Sequence, residues 1–82
     1  MITRNELRND YRTLDVYISS WLILNGLRPS LEKEGAKIVF CFPPSNELYE
    51  QIDRFNSGAV VEASRFVLTI KNLKAQIFSR KG

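Results

Sequence analysis

Apolar residues near the start of the chain recur at helical spacing. Leu14, Tyr17, Ile18, Trp21 and Leu22 fall on one face of a helix. Thr13 or Asp15 suits its N-terminus, because either side-chain oxygen accepts from backbone N–H groups left free there. Asn25-Gly26 supplies the stop. Just upstream, Tyr11-Arg12-Thr13 is a brief β-prone stretch that predicts a short strand. Beyond the helix the spacing changes to that of strands, over Leu27 to Glu34 and over Lys37 to Phe42, and the charged link ending in Gly35 suits a hairpin turn. Pro29 lacks the N–H that a central ladder needs, so the first of the pair is expected at an edge. In the second strand Ile38, Phe40 and Phe42 point one way and Val39 and Cys41 the other. Both sets are apolar, so the strand is expected to be covered on both faces or to meet a partner on one.

Pro43-Pro44 ends that strand. Ser45 then caps a helix whose Leu48, Ile52 and Phe55 are spaced i, i+4, i+7, and Asn56-Ser57-Gly58 closes it. Ala59 to Val61 reads as an extended connector. A last helix is expected from Ala63 to Ser79, with Phe66, Ile70, Leu73 and Ile77 as its stripe. The order β-α-β-β-α-α predicts an α+β fold, a two-layer sandwich with three helices on a small sheet of two to three strands. Residues 1–10 are polar with scattered charge and are expected to form a flexible or weakly ordered segment ahead of a single domain over 11–82.

Composition narrows the chemistry. Among 82 residues there is no His, which removes imidazole acid–base catalysis and the commonest metal ligand. A single cysteine, Cys41, allows no internal disulfide and no Cys-rich zinc site, and a lone thiol fits a reducing compartment; the cytoplasm is the expected location. The first six residues mix acid and base and do not read as a signal peptide. The apolar-rich stretch Leu14 to Leu27 is broken by Asp15, Ser19, Ser20 and Asn25 and is shorter than the ~20 residues of a membrane span. The serines have no histidine base and no G-x-S-x-G elbow. Cys41, flanked by Phe40 and Phe42, reads as a small buried hydrophobe. Glu47, Glu50 and Asp53 read as a solvated helix face, and the four glycines are too dispersed to cradle a phosphate. No catalytic, cofactor or metal residue is assigned, and a non-enzymatic chain is expected.

Two features remain. Residues 1–62 carry seven Lys/Arg against nine Asp/Glu, whereas residues 63–82 carry five basic residues and no acid, so the net +3 is a slightly acidic body with a basic last helix. That helix either compensates the acidic helix before it, or merely solubilises the surface, or meets phosphates through Lys71, Lys74, Arg80 and Lys81. No helix-turn-helix, RNP or G-x-x-G signature accompanies it. The second feature is surplus hydrophobicity. Val16 and Ile23 lie nearly opposite the main stripe of the first helix; Val67 and Phe78 lie beside the stripe of the last, with Leu68 further round; Val39 and Cys41 make a second apolar strand face. A small domain has little interior to hide them. Val16, Trp21, Ile23 and Val39 are therefore taken as candidate interface residues of a homo-oligomer, a dimer, or of a complex with a protein partner.

Tyr11-Arg12-Thr13-x-Asp15-x-Tyr17, Trp21-Leu22-x-x-Asn25-Gly26 and Val39-Phe40-x-Phe42, followed by Ser45-x-Glu47-Leu48, Phe55-Asn56-Ser57-Gly58 and Arg65-Phe66 leading to Leu73-Lys74, form a recognisable succession. It resembles a family of short bacterial and phage-associated proteins classed as a domain of unknown function. The resemblance spans about Tyr11 to Ser79 and implies a compact α+β domain of prokaryotes or their mobile elements, without implying any activity or ligand. The expected function is a self-associating protein–protein interaction module; the alternative is a nucleic-acid-binding accessory protein using the basic helix. Neither a membrane nor a small-molecule substrate is expected as a partner.

Overall fold

A computed structural model describes residues 9–81, so most of the expected flexible segment at residues 1–10 lies outside the described residues. The elements follow the expected order: β1 (Tyr11–Thr13), α1 (Val16–Leu24), β2 (Ser30–Glu34), β3 (Lys37–Phe42), α2 (Asn46–Asn56) and α3 (Ala63–Lys81). The fold is α+β. The three strands form one antiparallel sheet in the order β1-β3-β2, so β3 is central and the strand after Pro29 is an edge.

Local chemistry sets the boundaries. Asp15 Oδ1 accepts from the N–H groups of Tyr17 (2.8 Å) and Ile18 (3.3 Å), starting α1. At its other end Gly26 has φ +89°, a conformation that favours glycine. The Gly26 and Leu27 N–H groups return to the Ile23 and Leu22 carbonyls in a Schellman motif. Leu27 is consequently turned onto the core instead of extending the strand, which begins at Ser30 and not at Leu27 as the pattern suggested. The two-residue hairpin Gly35-Ala36 joins β2 to β3; Gly35 at φ +61° with Ala36 in the ordinary region is the type II′ arrangement. Ser45 Oγ accepts from the Leu48 N–H (3.0 Å), and α2 closes on a second Schellman motif at Gly58.

One face of the sheet carries Phe40 and Phe42, which with Ile18, Trp21, Leu22, Leu48 and Leu73 form the core cluster. The helices cover this face. α1 packs against both α2 and α3, which have no extended contact with each other. Five consecutive residues of α1, Ile18 to Leu22, are buried, a full turn enclosed on every side. Ser19 and Ser20 keep that turn slim, and the Ser20 hydroxyl donates back to the Val16 carbonyl (2.7 Å). Trp21 donates its indole N–H to the Gln51 carbonyl (2.9 Å) and sets its ring 6.3 Å from that of Phe55, fastening α1 to α2.

The other sheet face is covered differently. Arg12 opposes Cys41 across the β1–β3 register, and its guanidinium reaches over β3 to Glu32 (3.2 Å) and Glu34 on β2. The same guanidinium donates to Cys41 Sγ at 3.3 Å. The second apolar set of β3, Val39 and Cys41, is thus buried beneath a bridge of charged side chains belonging to the same chain.

Candidate functional site

The four candidate interface residues are not brought together on an open surface. Trp21 (6% exposed) is part of the core, Val39 (8%) lies under the Arg12 bridge, and Val16 and Ile23 are half-buried against the core cluster. The apolar residues of α1 that appeared surplus are absorbed because the helix is enclosed. A signal for this was legible: Val16 to Leu24 contains no charged residue, and in α1 only Tyr17 (54% exposed) stands largely in solvent.

α3 is the opposite case. Of its expected stripe, Phe66, Leu73 and Ile77 pack on the core while Ile70 is half-buried outside that cluster, and only Leu73 is fully buried. Beside that stripe Val67 (48% exposed), Leu68 (59%) and Phe78 (80%) stand in solvent. Val67, Lys71, Lys74 and Phe78 follow one another at i, i+4, i+7, i+11, which places both lysines on the same flank as the exposed apolar residues. Leu68 and Ala75 border this flank. A shallow depression of about 440 Å³ lies along Ala63, Ser64, Val67, Leu68 and Lys71. The surface is apolar at both ends and basic in the middle.

The four basic residues considered for phosphate contact divide. Lys71 and Lys74 share the apolar flank, whereas Arg80 is nine residues beyond Lys71, about half a turn round the helix. All four are exposed. The acidic helix does not neutralise them: the acids of α2 and the lysines of α3 form no ion pair among the described residues, where the ion pairs resolved are those of Arg12. Glu47, Tyr49, Glu50 and Asp53 on α2 are all exposed as well, and Tyr49, Glu50 and Asp53 lie on the face directed away from Leu48, Ile52 and Phe55.

The concavity near the α2–α3 connector, about 240 Å³, is lined by Trp21, Leu24, Asn25, Arg54, Val60, Val61, Glu62 and Arg65. Its carboxylate is engaged: Glu62 caps α3, accepting from the Ser64 hydroxyl (2.5 Å) and the Arg65 N–H (2.9 Å). Those bonds, the Ser64 hydroxyl first, hold its pKa below the ordinary carboxylate value. Cys41 moves the other way. Burial pushes its thiol up, the bond with Glu32 adds to this, and the Arg12 charge only partly offsets both, so Cys41 is a protonated packing residue at neutral pH. Among the described residues no group of three His, Cys, Asp or Glu side chains is placed to hold a metal ion, and no helix is long and apolar enough to cross a membrane.

The model of the family described as "Domain of unknown function (DUF5659)" matches residues 8–79. The chain belongs to the DUF5659 family. That match contains every strand and helix of the fold except the last two residues of α3, and includes the exposed flank from Val67 to Phe78. No curated protein and no solved structure matches this DUF5659 chain.

Proposed function

We propose that this DUF5659 domain is a non-enzymatic protein–protein interaction module that self-associates through the exposed flank of α3. The observation that carries the reading is the apolar set Val67, Leu68 and Phe78 standing in solvent on a helix whose core contacts are already made by Phe66, Leu73 and Ile77. Burying three large apolar side chains contributes about 1.5–3 kcal/mol each when complete, enough to repay part of the cost of association. The β2 edge of the sheet is an unfavourable alternative, since that strand reads Ser-Leu-Glu-Lys-Glu and charged edges resist strand pairing. The absence of histidine and the inert state of Cys41 support a surface function over catalysis. A cytoplasmic location accords with a lone reduced thiol.

Nucleic-acid binding through α3 is the weaker reading, because the lysines best placed to act together are interleaved with apolar residues and Arg80 faces elsewhere. Light scattering at tens of micromolar tests the proposal. A mass above 9.5 kDa is expected, reverting to the monomer in Leu68→Asp and Phe78→Asp. A wild-type chain that stays monomeric contradicts it.

A further inference from the structure

Resting on that self-associating reading, we infer what covers the α3 flank: the acidic outer face of α2 in a second copy of this chain, with the contact made reciprocally about a two-fold axis. The flank is not complementary to itself. Two copies of α3 laid together would set Lys71 and Lys74 against Lys71 and Lys74, and residues 63–82 contain no acid to relieve them. α2 supplies what is missing. Its outer face carries Glu50 and Asp53 with Tyr49 on one side and Arg54 on the other, all exposed, so two acids outweigh one base, and neither acid forms an ion pair with α3 of the same chain.

The spacings agree. Lys71 and Lys74 are three residues apart, as are Glu50 and Asp53, so each pair spans about 4.5 Å along its helix axis. Set antiparallel, Lys74 meets Glu50 and Lys71 meets Asp53. The same register lays Tyr49 over Ala75, whose small side chain leaves room for the ring beside Phe78. A parallel register would instead direct Tyr49 at Ile70, a half-buried β-branched side chain that leaves less room for the ring than Ala75 does. The lengths are close: Val67 to Phe78 is 12 residues of helix, and α2 has 11. Because α2 and α3 flank α1 without extended contact, both faces are free in one molecule. Made reciprocally about a two-fold axis, the contact occurs twice, pairs each α3 flank with one α2 face, and closes the assembly as a dimer.

Complementary charge reversal tests this. Lys71→Glu with Lys74→Glu, and separately Glu50→Lys with Asp53→Lys, each replace attraction by repulsion at both contacts and are expected to raise the dimer Kd by on the order of a hundredfold. All four positions are exposed, so far-UV circular dichroism and thermal unfolding of both variants, measured at a concentration where the wild type is monomeric, should match the wild type. Mixing the two variants is expected to give a dimer of one chain of each kind, seen by native mass spectrometry. The inference is overturned, with self-association left standing, if the wild type associates but either reversal leaves its mass unchanged, or if the mixture stays monomeric. A wild type that is monomeric throughout overturns both. A salt-sensitive complex with a duplex oligonucleotide, lost in the lysine variant of a monomeric chain, would give the flank to phosphate and also overturn it.

Discussion

α1 and α3 are both rich in apolar residues outside their main stripes, and the structure treats them in opposite ways. α1 is nine residues long, uncharged, and enclosed by the sheet and the other two helices. Its extra apolar side chains are core. α3 is 19 residues long, carries five basic residues, and leaves most of its circumference in water with Val67, Leu68 and Phe78 among the exposed positions. Surplus apolar residues therefore stay exposed where the same helix also has charged residues that keep one face wet. In a helix without charge they signal enclosure.

Paired truncations sharpen this contrast most. Leu22→Ala removes a fully buried side chain from the core cluster and is expected to cost about 2–5 kcal/mol in denaturant unfolding. Leu68→Ala, measured at a concentration where the chain is monomeric, should stay within about 0.5 kcal/mol of wild type. Equal costs at the two positions would break the comparison.

Ser19 probes the enclosure of α1 more finely. It is wholly buried, and its hydroxyl has no hydrogen-bond partner among the described residues. Ser19→Ala removes an unsatisfied polar atom and should raise stability by up to about 1 kcal/mol, whereas Ser19→Leu overfills the site and should lower it by about 1–3 kcal/mol. A well-tolerated leucine would mean that α1 has a loose side after all.

The smallest effect belongs to the start of α3. Glu62 caps the helix in its ionised form, and its pKa is lowered in the fold. A depressed carboxylate contributes stability above its ordinary pKa and loses it as pH falls through the lowered value. Amide exchange at Arg65, corrected for intrinsic rate, should therefore quicken in acid, and Glu62→Gln should flatten that dependence. An unchanged acid response in the glutamine variant would mean that the cap is not the titrating group.

Most of the fold was legible in the sequence because short-range chemistry decides it. Asp15, Ser45, Gly26, Gly58 and the Pro43-Pro44 pair mark element ends, and the apolar spacing separates strand from helix. What local pattern does not encode is which element lies in the middle. Trp21 lies on the main stripe and suits a core, and Val39 suits a second covered face, but either also fits an interface until the sheet order and the enclosure of α1 are known. The cover over Val39 and Cys41 was illegible for the same reason: Arg12 and Glu32 are 20 residues apart and meet only through the register of β1 and β2 on either side of β3. The exposed flank of α3 was half visible. Val67, Leu68 and Phe78 stood out as off-stripe, but only the structure distinguishes them from the equally off-stripe residues of α1.

A methyl and aromatic NMR dilution series, run from millimolar to micromolar protein, tests the central claim most directly. The signals of Val67, Leu68 and Phe78 are expected to shift or broaden with concentration, while those of Val16, Trp21, Ile23 and Val39 hold still. Concentration-dependent shifts at the α1 residues, or none at the α3 flank, would contradict it.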